Sequence, residues 1–334
     1  MRSISLRASS FVTKVLRFLP TEVSHAIALH SLDLISFLGI KLVKENLKKE
    51  PIKILGQEFK NRLGIAGGLD KDGEHINALS GLGVAFLELG TATPRPQLGN
   101  KKPRLFRDTE NLSLLNRMGF NNKGVLNLVR NIKSYEGQCK LLISIGKNFD
   151  TPNEKSIDDY LFCLEKVFPI ADIVTVNVSS PNTKGLRALH KPKSLSGFLN
   201  TLKKRQLELS KRFNYKPLAV KISPDISKNE CKEISKILLG EGIDGLIATN
   251  TTSDHNDRNG KGGLSGKLLF KKSTIILEEM RNLLGKEFPI IASGGVMDID
   301  SYRAKLEAGA DLVQVYTGMI YRGPELIEEL LNEH

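Results

Sequence analysis

The sequence predicts an α/β protein, a (β/α)8 TIM barrel that carries an N-terminal helical extension. From about residue 50 onward, eight short apolar runs alternate with longer stretches in which apolar residues recur at helical spacing. Runs that are apolar throughout are typical of parallel strands covered by helices on both faces. An eightfold alternation of this length favours a closed barrel. A doubly wound sheet is the competing fold, but no GxGxxG motif follows the first run.

The repeat divides the chain into predicted strands, helices and two larger parts. The predicted strands comprise residues 63–67, 86–91, 141–147, 173–180, 218–223, 245–250, 290–295 and 312–317. The predicted helices between them include residues 158–168, 194–213, 229–239, 272–284 and 300–308. We therefore expect a barrel over residues 46–334, preceded by a helical extension over residues 1–45.

The extension is apolar and basic. Residues 1–21 contain basic residues and serines but no acid, as in a transit or signal peptide. No apolar run approaches the ~20 residues that span a bilayer. A first short helix stops at Pro20, Thr21 is a candidate cap for a second, and Gly39 is a candidate end. Flanking lysines at 41–49 suit helices that lie on an anionic membrane surface, although both helices could simply pack on the barrel.

Composition excludes several classes of protein. The hydrophobic fraction of 40% is that of a folded chain, and Cys139, Cys163 and Cys231 form no CxxC pair. That spacing argues against a disulfide framework, a zinc site or an iron–sulfur cluster, and it fits a reducing cytosolic environment. The net charge of +12 suits nucleic acid, an anionic membrane, an anionic substrate or merely a solvated surface. Without a nucleic-acid-binding motif, we expect no nucleic acid partner, and we expect no metal.

The ends of the predicted strands are rich in glycine and polar residues, and barrels of this kind collect their chemistry there. Gly294 and Gly295 follow the seventh strand, Thr317 ends the eighth, and a glycine-rich loop at 262–266 follows the sixth. Glycines let backbone N–H groups approach an anion, so these loops predict a site for a phosphate-bearing cofactor or substrate. Lys71 and Lys221, also at strand ends, could form a Schiff base or act as fixed cations.

Six segments together resemble dihydroorotate dehydrogenase, in that family's order and over essentially the whole chain. They are AGGLDKD (66–72), LGTATPRP (89–96), NRMGFNNKG (116–124), VNVSSPNTKGL (176–186), ATNTT (248–252) and GGLSG (262–266). The helical extension and the serine at position 180 resemble the quinone-dependent class of that family. The soluble class generally lacks the extension and carries cysteine at that position.

The resemblance implies an FMN-dependent oxidoreductase that converts (S)-dihydroorotate to orotate in pyrimidine biosynthesis. The residues implied for FMN are Gly67, Gly68, Leu69, Asp70, Lys71, Thr91, Asn177, Lys221, Thr249, Gly266, Gly295, Tyr316 and Thr317, the last three near its phosphate. Those implied for dihydroorotate are Lys71, Asn116, Arg117, Met118, Gly119, Phe120, Asn177, Asn182, Asn250 and Thr251. Lysine and amide side chains suit a substrate with one carboxylate and a ring of carbonyl and N–H groups.

The resemblance also assigns the proton transfer. Ser180 would take the C5 proton while hydride leaves C6, with Thr183 and Phe120 on the proton path and residues 179–190 closing over the ring. One position departs from the family, which usually has asparagine where this chain has Ser144. Serine is shorter and offers fewer hydrogen bonds, so Ser144 is expected beside the flavin with a weaker contact.

For the quinone-dependent class, the resemblance implies a tunnel between the extension and the barrel. Arg107 and Tyr316 are implied as polar contacts near the quinone head, and four apolar residues of the extension as its walls. Those four residues are Val23, Ile27, Leu34 and Phe37. The protein would then be peripheral on the cytoplasmic face of a bacterial inner membrane, with a membrane quinone as acceptor and no obligate protein partner.

Three other functions share part of this pattern. A soluble dihydroorotate dehydrogenase would use fumarate, or NAD through a partner subunit, but Ser180 and residues 1–40 speak against it. A phosphosugar aldolase or isomerase would share the barrel, a lysine and the phosphate loops. A non-catalytic membrane-binding scaffold would leave the polar strand ends without a purpose. A flavin in the purified protein would exclude the last two.

Overall fold

Eight parallel strands close into a barrel at the centre of the protein. The computed structural model describes residue 13 and residues 15–40, 42–43 and 50–332. The barrel strands, labelled β1 to β8 in chain order, are Leu63–Ile65, Phe86–Ala92, Lys140–Ile145, Ile173–Asn177, Leu218–Ile222, Gly245–Ala248, Ile290–Ser293 and Leu312–Val315. Each strand pairs with the next along the chain, and β8 pairs with β1 to close the cylinder. The predicted (β/α)8 TIM barrel is therefore confirmed.

Helices surround the barrel and enclose an apolar core between themselves and the strands. Labelled α1 to α11, they are Thr21–Phe37, Ile76–Ser80, Val125–Ile132, Ser156–Val167, Leu186–Leu189, Pro192–Ser210, Lys228–Gly240, Phe270–Leu284, Ile299–Glu307, Thr317–Arg322 and Pro324–Asn332. The five helices predicted between the strands are α4, α6, α7, α8 and α9. Each begins one or two residues earlier than the sequence predicts. At α7 the reason is a capping box in which Ser227 and Glu230 satisfy each other's backbone N–H groups.

Two small sheets were not predicted. A hairpin of Ile52–Ile54 and Gln57–Phe59 covers the N-terminal end of the barrel, where Phe59 packs on Phe86. At the other end, Leu105–Asp108, Ser113–Asn116 and Gly263–Gly266 form an antiparallel sheet. These strands have only three or four residues, too few for an alternating pattern to show. The second sheet joins the loop after β2 to the loop after β6.

The extension contributes α1, which lies against the barrel. Two contacts tie it down: Glu22 forms an ion pair with Arg104 Nε at 2.9 Å, and Asp33 Oδ2 forms a hydrogen bond with His75 Nδ1 at 2.6 Å. The prediction that Thr21 caps this helix is wrong, because Pro20 occupies the cap position and no side chain caps the first turn. Of the described helices, none is long and apolar enough to cross a membrane. The lysines at 41, 44, 48 and 49 lie outside the described residues.

Candidate active site and the adjoining cavity

A cavity of about 150 Å³ opens at the C-terminal end of the barrel. Its walls come from the loops that follow the strands, where barrel proteins place their chemistry. Most of the residues implied for FMN, substrate and proton transfer line it. They are Gly67, Gly68, Lys71, Thr91, Asn116, Met118, Gly119, Phe120, Asn177, Ser180, Asn182, Lys221, Thr249, Asn250, Thr251, Gly266, Gly295, Tyr316 and Thr317. The structure thus brings together residues that are spread over 250 positions of sequence.

Three residues implied for FMN or substrate, Asp70, Leu69 and Arg117, lie outside this lining. The buried carboxylate of Asp70 accepts hydrogen bonds from the backbone N–H groups of Glu74 and His75, at 3.0 and 2.8 Å, and so shapes the loop after β1. Leu69 faces a second cavity instead. Arg117 stacks over the ring of Phe106 at 4.9 Å.

Ser144 and Thr183 are buried behind the cavity wall. Ser144 Oγ lies 2.9 Å from Thr91 Oγ1, which also accepts a hydrogen bond from Asn177 Nδ2 at 2.9 Å. Ser144 therefore supports a cavity residue and does not itself face the cavity. The Oγ1 of Thr183 finds no hydrogen-bond partner among the described residues. An unpaired buried hydroxyl costs free energy, so Thr183 is a candidate link in a proton path.

Four asparagine side chains form a hydrogen-bonding surface around one side of the cavity. Asn182 Nδ2 donates to Asn116 Oδ1 at 2.8 Å, and Asn250 Nδ2 donates to Asn177 Oδ1 at 3.2 Å. Ser180 lies beside them, with its Oγ 3.3 Å from the backbone N of Asn182. Amides both donate and accept, so this surface can bind a ring that carries carbonyl and N–H groups.

Lys221 and Glu88 form a buried ion pair in the floor of the cavity. Lys221 Nζ lies 2.8 Å from Glu88 Oε2, and their side chains are 8% and 1% exposed. The same carboxylate oxygen accepts from the backbone N of Gly67 at 3.0 Å, whereas Oε1 has no partner among the described residues. The ion pair with Glu88 therefore holds the ammonium group of Lys221 in a fixed position. Nothing in this arrangement requires a Schiff base.

The glycines after β6 and β7 line the same cavity and shape an anion cradle. Gly295 has φ +85°, and a Cβ there would lie 2.3 Å from Phe270 Cα. Gly266 has φ +89°, and a Cβ would lie 2.4 Å from the carbonyl oxygen of Leu112. Thr317 Oγ1 and Ser265 Oγ lie 2.8 Å apart at the same place. Exposed backbone N–H groups and hydroxyls suit a phosphate.

Replacing Gly295 with alanine is expected to remove most of the bound cofactor, because the new Cβ must displace either the loop or α8. The measurement is the ratio of flavin to protein after purification. Gly285→Ala is the matched control, since Gly285 has φ +80° but no atom lies within 4 Å of the place that its Cβ would take. Equal flavin content in both variants would contradict the assignment of this loop.

A second cavity, of about 340 Å³, lies between α1 and the barrel. Its wall is mainly apolar and includes Ala28, Leu29, Leu32 and Ile35 of α1. Gly68 faces the first cavity and the next residue, Leu69, faces this one, so a single loop separates the two.

The second cavity has a polar end formed by Arg107 and His25. Arg107 Nη1 donates to the backbone oxygen of Leu19 at 2.8 Å, and Nη2 contacts Ser24 Oγ. Burial and the nearby charge of Lys71 lower the pKa of His25 to about 4, so this imidazole is neutral at physiological pH. Arg107 thus lies where a polar contact was predicted, whereas Tyr316 lines the first cavity.

The four residues predicted as walls of this cavity point away from it, and that prediction is wrong. Val23, Ile27, Leu34 and Phe37 are 48%, 42%, 58% and 87% exposed. They form the outer face of α1, which is apolar on both faces, so spacing alone does not tell which face turns inward.

Comparison with known proteins shows the family of this chain. The family model of dihydroorotate dehydrogenase matches residues 51–333. The chain belongs to the dihydroorotate dehydrogenase family. The curated dihydroorotate dehydrogenase (quinone) of Acinetobacter baylyi is 46% identical over 330 residues, 97% of this chain and 98% of that protein. Its namesake from Idiomarina loihiensis is 49% identical over 295 residues, 86% and 88% of the two chains.

The same family appears among solved structures. A crystal structure of DHODH in complex with ferulenol from Eimeria tenella superposes with a TM-score of 0.81 and 33% sequence identity. The superposition covers 91% of this chain and 89% of that one. The barrel therefore follows the architecture of the dihydroorotate dehydrogenase family.

Sequence reasoning missed two buried polar residues of this dihydroorotate dehydrogenase cavity, Glu88 and Gln314. Both lie inside strands that are mainly apolar, β2 and β8. Gln314 is 1% exposed, and neither atom of its side-chain amide has a partner among the described residues. A polar side chain in a doubly covered strand is costly to bury, and that was the available signal.

Proposed function

We propose that the protein oxidises (S)-dihydroorotate to orotate in de novo pyrimidine biosynthesis, with FMN as electron carrier and a membrane quinone as final acceptor. The supporting observation is the cavity in which Ser180, four asparagines and Lys71 face the anion cradle and Lys221. Dihydroorotate dehydrogenases are flavin-dependent in general, and the choice of FMN rests on that cradle, which suits one terminal phosphate.

The residues of the cradle fit the proposed cofactor. Gly266, Gly295 and Thr317 would hold the phosphate, and Lys221 would lie near the electron-poor part of the ring. FMN, when bound, supplies the hydride acceptor. A fixed ammonium beside the ring favours negative charge after reduction, and Glu88 holds that ammonium in place.

Substrate binding is assigned to the asparagine surface and Lys71, with Ser180 as the base. Ser180 Oγ would accept the proton from C5 while the hydride leaves C6, and the two losses together create the ring double bond. A serine hydroxyl is a weak base, so the proton must pass onward. We assign that passage to Thr183, whose hydroxyl has no partner among the described residues, together with Phe120.

The affinity for the anionic ligand should fall as pH rises above about 8. Burial, reinforced by the charge of Arg104, lowers the pKa of Lys71 to about 8, so the lysine is cationic below that pH and loses its charge above it. Orotate affinity for the oxidised enzyme, followed by flavin absorbance, should weaken by up to about tenfold per pH unit there. Lys71→Arg should remove this fall, because arginine stays charged. If the dissociation constant of orotate does not change with pH, Lys71 is excluded as the partner of the orotate carboxylate.

We assign the second cavity to the quinone. Its apolar walls suit an isoprenoid-bearing ligand, and Arg107 can donate to a quinone oxygen at the polar end. The outer face of α1 would rest on the membrane, since Leu34 and Phe37 on that face are 58% and 87% exposed. We accordingly propose residues 1–45 as a membrane-contacting unit on a 46–334 barrel, peripheral on the cytoplasmic face of the membrane, with no obligate protein partner.

Filling the second cavity should block only the second half of the reaction. In Ala28→Trp, the indole would occupy space that the quinone needs, and reoxidation of the flavin by a soluble ubiquinone analogue should slow by about 10²-fold. Reduction by dihydroorotate should be unchanged. Ile27→Trp is the control, because Ile27, which precedes Ala28 in α1, faces outward. Equal slowing in both variants would refute the assignment of this cavity.

Anaerobic stopped-flow absorbance tests the whole proposal. Dihydroorotate should bleach the flavin band of the purified protein, and a soluble ubiquinone analogue should restore it. Reoxidation by fumarate alone would assign the chain to the soluble class. Absence of flavin, or a flavin that dihydroorotate does not reduce, would refute the proposed function.

A further inference from the structure

The side chain of Arg187 joins three loops at the mouth of the first cavity. Arg187 belongs to α5. This short helix is part of residues 178–191, which connect β4 to α6 and are called the Ser180 segment here because they carry Ser180. Its Nε donates to the backbone oxygen of Ser179 at 3.1 Å. Its terminal nitrogens donate to Asp225 Oδ2, after β5, at 2.8 Å and to the backbone oxygen of Thr251, after β6, at 3.0 Å. One guanidinium therefore ties the Ser180 segment to two neighbouring loops.

The carboxylate of Asp225 is a firmly held anchor for this arginine. It accepts from the backbone N of Ser253 at 2.7 Å and forms an ion pair with Lys272 at 2.7 Å. Burial opposes ionisation, but the contacts with Lys272, Thr252, Ser253 and Arg187 hold the pKa of Asp225 well below its usual range. The Arg187 and Asp225 side chains are only 27% and 15% exposed, so water weakens their attraction less than at the surface.

Arg187 does not line the cavity. The residues that it holds either line the cavity or lie next to residues that line it. Ser179 precedes Ser180, and Thr251 lines the cavity directly. The Ser180 segment has further ties, from Ser179 Oγ to the backbone oxygen of Lys221 at 2.6 Å and from Asn182 to Asn116. All of these other ties are uncharged. The contact with Asp225 is therefore the ion pair among these ties, and charge-assisted contacts are stronger than neutral ones.

We propose that Arg187 is a positioning residue that clamps the Ser180 segment over the bound ring, and that its separation from Asp225 opens the cavity for ligand exchange. This inference rests on the proposed function. It assigns to one arginine both the placement of the base and the rate at which product leaves.

The test compares Arg187→Met with the wild-type holoenzyme. Orotate dissociation from the oxidised enzyme should become about tenfold faster, because one charge-assisted contact no longer closes the segment. Flavin reduction at saturating dihydroorotate should slow, while flavin content stays the same. Arg187→Lys, which retains the ion pair but not the other contacts, should be intermediate. Arg205→Met is the matched control, since Arg205 pairs with Glu165 on the outer helices.

Cleavage by a lysine-specific protease gives a readout that does not depend on the reaction. The segment contains the exposed residues Lys184 and Lys191, where cleavage should be faster in Arg187→Met and slower with orotate present. Asp225→Asn should behave like Arg187→Met, and the double variant should add little. If Arg187→Met shows the same rates of cleavage and of orotate release as the wild type, the clamping role of Arg187 is refuted. If Arg187→Met does not fold, the same result in Arg187→Lys and Asp225→Asn refutes it. If dihydroorotate does not reduce the flavin of the wild-type enzyme, the proposed function is refuted instead. The cleavage rates alone then test whether Arg187 holds the Ser180 segment in place.

Discussion

Ser180→Ala is expected to slow the reduction of the flavin by dihydroorotate by about 10²–10⁴-fold, the usual contribution of a positioned general base. The methyl group of alanine fits the space of the serine side chain, which is 7% exposed, so flavin content and orotate binding should be preserved. The rate constant is measured by anaerobic stopped-flow absorbance at saturating substrate.

Ser180→Cys is the matching conservative variant. A thiol at this position retains a group that can accept a proton, so this variant should recover part of the lost rate with a changed pH profile. Thr183→Val tests the onward path in the same assay, because it removes the buried hydroxyl but keeps the shape. Reduction of the Ser180→Ala flavin at the wild-type rate would show that another group accepts the proton.

Lys221→Met is expected to lower the free energy of unfolding by about 3–5 kcal/mol, the usual cost of leaving one partner of a buried ion pair uncompensated. Glu88 would keep only the backbone N–H of Gly67 as a partner within a 1% exposed environment. Denaturation should be measured at the same ratio of FMN concentration to dissociation constant in each variant, since a ligand that binds only the folded state adds to the apparent stability.

The double variant Lys221→Met with Glu88→Gln separates charge from packing. Removing both charges should restore most of the lost stability, because the cost arises from the unpaired carboxylate. Additive losses in the double variant would mean that the lysine stabilises the barrel through packing of its stem. In either case the double variant would lack the cation that we propose beside the flavin ring.

Burial on both faces explains why the barrel could be predicted from the sequence and why the strand ends could not. The barrel strands are made mainly of buried apolar residues, with single polar residues such as Thr175 and Lys221 among them, so the count and order of strands follow from hydrophobicity. Most predicted strands ran two or three residues too far, as at 173–180, because the following residues leave the sheet to line the cavity. The end of each strand is therefore set by where the cavity begins, which the composition of these residues does not reveal.

The parts of the site that escaped prediction depend on contacts between distant positions. Arg187 and Asp225 are 38 positions apart, and no local pattern links an arginine in a one-turn helix to an aspartate in another loop. The resemblance to the family supplied the cavity residues because its motifs mark the loops. It did not indicate which supporting side chains hold those loops.

The pairing of the first barrel strand with the last has a consequence for biosynthesis. Leu63 and Val313, which pair between β1 and β8, are 250 positions apart. At the usual pace of translation, about 5–20 residues per second, β1 waits for roughly 12–50 s before its partner has been made. During that time the nascent chain presents an unpaired apolar strand edge, which is a site for intermolecular pairing. Chaperone demand and yield on expression should therefore depend on how quickly the ribosome translates the 250 positions between these two strands.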